Sequence, residues 1–211
     1  MTTSCANCGN EVRFHDRFSV YAVCESCRSM LVRVDDYTQN LGQKADMPDD
    51  NSPVQLGTQG TYEGRAFELI GRLKIRYERG VWNEWYAWFT DQQHGWLAEA
   101  QGFWMMSFPE PHYTRFPAVD DLKIGQKRQL AGDEYLVADL RQIHYGGAEG
   151  ELPFSATEDY TSTVVDLAAK GGRFATLDYP DQGEPRAYLG RYVDFDELKL
   201  KNLSALAGWK F

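Results

Sequence analysis

From residue 54 onward, apolar and polar positions alternate with a period near two, the pattern of strands with one buried face. In "RAFELIGRLKIRY" (65–77), Phe67, Leu69, Gly71, Leu73, Ile75 and Tyr77 fall on one side, and Glu68, Arg72, Lys74 and Arg76 on the other. "VWNEWYAWF" (81–89) follows across "ERG", which reads as a turn, and "TDQQHG" (90–95) reads as the next. "WLAEA" (96–100) and "FWMMSF" (103–108) predict two more short strands about a turn at Gly102. The stretch 109–121, with Pro109, Pro111 and Pro117, predicts a connection.

A second run resembles the first. "LGTQGTYEGRAFELIGRLKIRY" (56–77) aligns without a gap to "IGQKRQLAGDEYLVADLRQIHY" (124–145), with turn glycines at Gly64 and Gly132. "GGRFATLDY" (171–179) takes the place of "QGFWMMSF" after a longer stretch, 146–162, rich in glycine and acids. The expectation is a mainly β fold built of two tandem small β-barrel-like, or meander, units over about 54–112 and 120–195. "VDFDELKLKNLSAL" (193–206) predicts a short C-terminal helix capped by Asp194.

The N-terminal part follows other rules. All four cysteines lie in the first 27 residues, as Cys5-Ala-Asn-Cys8 and Cys24-Glu-Ser-Cys27, two C-x2-C knuckles separated by 15 residues. Each knuckle sets two thiolates on one side of an ion, and a hairpin of this length returns the second pair, as in a zinc ribbon. Gly9, directly after Cys8, suits the tight turn. Four thiolates leave no open position, so the zinc is expected to be structural. His15 lies between the knuckles, and a full cysteine set makes it unnecessary as a ligand. Two disulfides are the competing reading, disfavoured in a reducing compartment. The polar stretch "DDYTQNLGQKADMPDDNSP" (35–53) has linker composition. The organisation expected is therefore a ribbon over 1–34, a linker over 35–53, and a mainly β domain over 54–211.

Composition narrows the partners. A net charge of -9 argues against a general nucleic-acid or anionic-membrane binder, because phosphate affinity rests on clustered Lys and Arg. The basic run "GRLKIRYERG" (71–80) is explained by a solvated strand face. No run reaches the roughly 18 apolar residues of a membrane span. The first residues lack the basic and apolar regions of a secretory signal, so a cytoplasmic location is expected.

Catalytic patterns are missing. There is no G-x-S-x-G elbow and no phosphate loop, and His15, His94, His112 and His144 are scattered. The remaining candidate chemistry is the aromatic block. On a strand, Trp82, Glu84, Tyr86 and Trp88 share one face, and Val81, Asn83, Trp85, Ala87 and Phe89 the other. A buried Glu84 needs a partner, and Arg65, Arg72 or Arg76 on the preceding strand could supply a structural ion pair. That bland reading outweighs a catalytic acid.

The four-cysteine ribbon, "GVWNEWY" (80–86), "GWLAEAQGFW" (95–104), the late "FATLDY" (174–179) and "YLGRYVDFDEL" (188–198) resemble the bacterial domain-of-unknown-function 4178 family. The resemblance implies no reaction and carries no catalytic residues over. It implies a gene context beside PspA-like envelope-stress proteins and aminopropyltransferase-like genes. Two functions are therefore expected. The first is a non-enzymatic interaction or adaptor protein with a protein partner. The second is a receptor or enzyme for a small ligand, such as a cationic polyamine, sited at the block between the two β units. Trp82, Glu84, Trp85, Tyr86, His94 and Trp96 are the candidate surface for either.

Overall fold

A computed structural model describes residues 1–44, 47, 51–156 and 160–205. The chain is mainly β, as the period-two pattern predicts. The ribbon contains β1 (Thr2–Ser4), β2 (Glu11–Arg13), β3 (Tyr21–Val23), β4 (Ser29–Val34) and β5 (Tyr37–Lys44). A first meander follows: β6 (Gln59–Tyr62), β7 (Arg65–Tyr77), β8 (Gly80–Phe89), β9 (His94–Ala100) and β10 (Phe103–Pro109). The second comprises β11 (Lys127–Leu130), β12 (Asp133–Leu152), β13 (Thr161–Ala168), β14 (Arg173–Pro180) and β15 (Arg186–Val193).

The two meanders are not separate bodies, because their strands belong to one large antiparallel sheet. β10 pairs with β15, and β12 pairs with both β13 and β7. The path from β7 through β8, β9, β10, β15, β14, β13 and β12 therefore returns to β7 as a ring of hydrogen-bonded strands.

Positions made equivalent by the gap-free alignment do equivalent work. Tyr62 pairs with Arg65 around a turn whose Glu63 and Gly64 have φ of 50° and 78°. Leu130 pairs with Asp133 around Ala131 and Gly132, with φ of 49° and 87°. These left-handed pairs are the turn geometry that matches strand twist. Likewise the amide of Leu69 donates to Thr58, and that of Val137 to Gln126. By order along its meander, however, β14 is the third long strand, and it corresponds to β9 instead of to "QGFWMMSF".

The second meander departs at its first long strand. β7 stops at Tyr77 and turns back, whereas β12 runs on through the glycine-rich stretch to Leu152. That extension pairs with β7 along 144–150 and with β3 at 151–152. The close approach needs glycine on both strands where Gly150 faces Gly71. A Cβ on Gly71 would sit 1.8 Å from the Glu151 carbonyl oxygen, so no larger residue fits without moving the backbone.

Besides a small core within the ribbon around Phe14 and Leu31, apolar side chains fill three zones of the ring. One lies inside the ring, around Leu73, Ile75, Tyr86, Trp96, Ile143 and Tyr145. A second covers the outer face of β7–β10, where Trp85, Phe89 and Leu97 are buried beneath Val54 and Leu198. The third covers the outer face of β12–β15 beneath Leu122 and the 113–116 connection.

Two further expectations are corrected. The first part of the expected linker 35–53 is strand β5, paired with β4; residues 45, 46 and 48–50 lie outside the described residues. The expected C-terminal helix is a single 3-10 turn, Phe195–Leu198, preceded by Asp194 with no side-chain capping bond. Lys199 ends it in the left-handed region at φ 48°, and the apolar Leu198, Leu200 and Leu203 pack on the second core instead of forming a helical stripe. Residue 206, the end of the expected helix, lies outside the described residues.

Candidate functional site

Two places in the molecule gather chemistry. The first is the cysteine cluster. The amides of Gly9 and Arg28 donate to the Cys5 and Cys24 carbonyls, at 2.9 and 2.8 Å, so both knuckles close by the same turn. Gly9 has φ 77° and Arg28 φ 62°, the left-handed residue that each turn requires. The four sulfurs lie within 4.8 Å of one another, with Cys5–Cys27 and Cys8–Cys24 separations of 3.8 Å. A tetrahedron with metal–sulfur bonds of about 2.3 Å has edges of about 3.8 Å. The cluster can therefore hold a metal ion. Cys27 is held down at about 5, chiefly by the Asn7 side-chain amide and by Ser29; burial pushes Cys24 up to about 11. His15 is not part of the cluster, because its ring and backbone amide are engaged by Glu151.

That engagement docks the ribbon on one end of the ring. The buried Glu151 carboxylate accepts the His15 amide at 2.8 and 2.9 Å. The buried Asp16 carboxylate accepts the Tyr86 hydroxyl and lies 3.9 Å from His94 Nδ1. Burial lowers the His94 pKa, partly opposed by Asp16. Phe18 packs on the His94 ring at 5.2 Å.

The second place is the interior of the ring. A cavity of about 310 Å³ is lined by all eight ring strands, which supply inward residues two apart, such as Phe174, Thr176 and Asp178 on β14. Toward the ribbon it is filled by Phe154, stacked between Trp96 at 5.7 Å and Tyr145 at 5.8 Å. At the opposite end the lining includes Val81, Phe103 and Tyr192, which are 57%, 62% and 48% exposed, so the cavity opens there.

The lumen carries five ionisable groups of opposed sign. Arg186 donates to Asp178 at 2.7 Å and to the Tyr160 hydroxyl at 2.6 Å, and Ser162 donates to Asp178. Arg141 donates to Asp166 at 3.0 Å and also meets Asp139; Thr176 donates to Asp166 at 2.9 Å. Asp166 is raised by burial, with Arg141 opposing. Asp166 lines the lumen. Glu84 accepts one bond, from Trp82 Nε1 at 3.1 Å, and has no ion pair among the described residues. Burial pushes its pKa up to about 7; the Trp82 bond opposes this, and Asp178 and Asp166 add to it.

The aromatic block is thus divided between two environments. Trp82 and Glu84 line the lumen with Trp96. Trp85 is 1% exposed on the outer face, where its indole N–H donates to Glu99 and Arg72 lies over its ring at 4.8 Å. Tyr86 is committed to Asp16, and His94 sits at the ribbon seam. Sequence parity placed Trp82 and Glu84 together, but it supplied the wrong partner for Glu84. Arg72 lies on the other face and bonds to Asn83 at 2.9 Å; Arg65 reaches Gln93 at 2.8 Å, and Arg76 is exposed. The lumen residues Arg141, Asp166, Asp178, Arg186 and Tyr188 carried no signal beyond the alternation of their strands.

Among the described residues, no helix is long and apolar enough to cross a membrane. No curated protein and no solved structure matches the chain. Residues 55–195, which span the strands of the ring but not the ribbon, match a protein family. The chain belongs to the family described as domain of unknown function DUF4178.

Proposed function

We propose that this protein is a small-ligand binding protein that takes a cationic amine into the ring lumen, with the ribbon as a zinc-stabilised cover for the closed end. The carrying observation is Glu84: an acid that lines an aromatic-walled cavity and lacks an ion pair among the described residues. A carboxylate beside indole and phenol faces attracts an ammonium group by charge and by the ring quadrupole. Four converging thiolates suit zinc, which is structural because every position around it is taken.

The lumen reading is tested by filling it. Ala98, a lumen residue on β9, changed to Phe should abolish calorimetric binding of an amine panel while leaving cooperative unfolding intact. Retained binding in Ala98→Phe would sink the site. Metal analysis of the purified chain tests the ribbon: one zinc per chain is expected, and iron in its place would overturn zinc.

A protein partner is a second reading, favoured by the exposed Val81, Phe103 and Tyr192 around the opening. Such a partner would meet this rim and not the aromatic block, since Trp85 and Tyr86 are buried. Photocrosslinking from position 103 tests it: no adduct in cells would remove the rim as an interface.

A further inference from the structure

We infer that the lumen selects a monocationic amphiphile, one ammonium group on an apolar aryl or alkyl body, over a polyamine. This rests on the lumen being a ligand site and goes further by fixing the charge number and the character of the rest of the molecule.

The charges are countable. Of the three acids lining the cavity, Asp178 is met by Arg186 at 2.7 Å and Asp166 by Arg141 at 3.0 Å. Arg141 also meets Asp139, which approaches it from outside the cavity lining. Glu84 is the acid left without an ion pair among the described residues. One of its oxygens accepts Trp82 Nε1, and the other has no hydrogen bond among the described residues. One ammonium is therefore neutralised on entry. A second would be desolvated facing Arg141 or Arg186, with its intended counter-charge already committed, and an uncompensated buried charge costs several kcal/mol.

The remaining wall calls for an apolar body. Trp82, Trp96, Met105, Val164 and Phe174 present carbon surface to the lumen, and the rim beyond them is apolar too. A volume of about 310 Å³ sits at the lower end of the range for small-molecule pockets, which suits an arylethylamine or a short alkylamine. The groups that face Glu84 are Trp82, Tyr188, Asp166, Asp178 and Arg186, with Arg141 sharing the lumen. Binding needs the Glu84 carboxylate, so affinity should rise as pH increases through about 7.

The experiment is calorimetry of the full chain at about pH 6 and about pH 8, with tryptamine, hexylamine, spermidine and tryptophol, the neutral analogue of tryptamine. The expected result at the higher pH is that the two monoamines bind at least about tenfold tighter than spermidine, and tryptamine about tenfold tighter than tryptophol. The tryptamine advantage over tryptophol should shrink at the lower pH and vanish in Glu84→Gln. Spermidine binding as tightly as tryptamine would overturn the single-charge inference and leave the lumen reading standing. Tryptophol matching tryptamine in the unaltered protein would overturn any role for the charge, whether or not Glu84→Gln folds. Binding by none of the four would overturn both readings.

Discussion

The cysteine cluster and the ring lumen are built by opposite routes. Two nearly identical five-residue turns place the four thiolates, so the ribbon's site is written in local spacing. The lumen draws on eight strands, and its Glu84 and Asp178 share one cavity only because β10 pairs with β15 and β12 with β7. A site made of local turns fails when one ligand is lost. A site made of a whole ring tolerates a changed side chain, provided that the strands still close.

The contrast can be pressed by experiment. The largest effect is expected at the cluster: Cys24→Ser, or a strong chelator, should release the metal and melt the ribbon, since binding free energy of a structural metal is folding free energy. Amide exchange should rise over β1–β5 while the ring strands stay protected. Simultaneous loss of both regions would mean that the two sites do not stand independently.

Next come the two tryptophans of β8. Trp85→Ala removes a fully enclosed ring and should cost about 3–5 kcal/mol in denaturant unfolding. Trp82→Ala opens onto existing space and should cost about half as much or less, while the amine affinity falls sharply. Equal stability losses would mean that the two faces of β8 are not different environments.

Glu84→Gln should stabilise the protein at about pH 8, by about 2–3 kcal/mol. The sign follows from the raised pKa. The folded state holds its proton up to about 7, whereas the unfolded chain releases it near the ordinary carboxyl value of 4.5. The native protein therefore loses stability as pH climbs from about 4.5 through about 7, and the Gln variant lacks that slope. A variant with the same slope as the parent would place the titration elsewhere. The smallest effect belongs to Asp194→Ala, within about 0.5 kcal/mol, because its side chain makes no capping bond.

Much of this molecule could be read from its sequence, for identifiable reasons. Alternation gave both strands, and the faces of 81–89, correctly. Over 65–77 a bulge between Leu69 and Gly71 switches sides, so Phe67 and Leu69 join the outer core, Leu73 and Ile75 turn into the ring, and Arg72 and Lys74 are buried instead of lying on a solvated face. The knuckles and the matched turns at Gly64 and Gly132 were legible because turn geometry is local. The joining of the meanders was not, since strand order depends on pairings between residues far apart. The expected ion pair of Glu84 failed for the same reason: Arg72 on β7 faces away from the lumen, and the lumen arginines Arg141 and Arg186 come from the other meander and pair with Asp166 and Asp178. The last expected helix failed because Leu198, Leu200 and Leu203 are placed to cover β7–β10, and a 3-10 turn with an extended tail does that better than a helix.

The length of β12 has a consequence for synthesis. As the chain leaves the ribosome, the cysteines come first, yet β3 finds its second neighbour only when Glu151 and Leu152 emerge. The β10–β15 seam closes later still, with Val193. Until then the nascent chain carries open strand edges on both meanders, with pairings of high sequence separation that form slowly. Metal binding by the N-terminal turns would need only the stretch from Cys5 to Cys27, so it can precede them. The ribbon can thus become ordered before the ring and is anchored late, so, if its thiolates hold a metal, a shortage of that metal during translation would be felt before the ring exists.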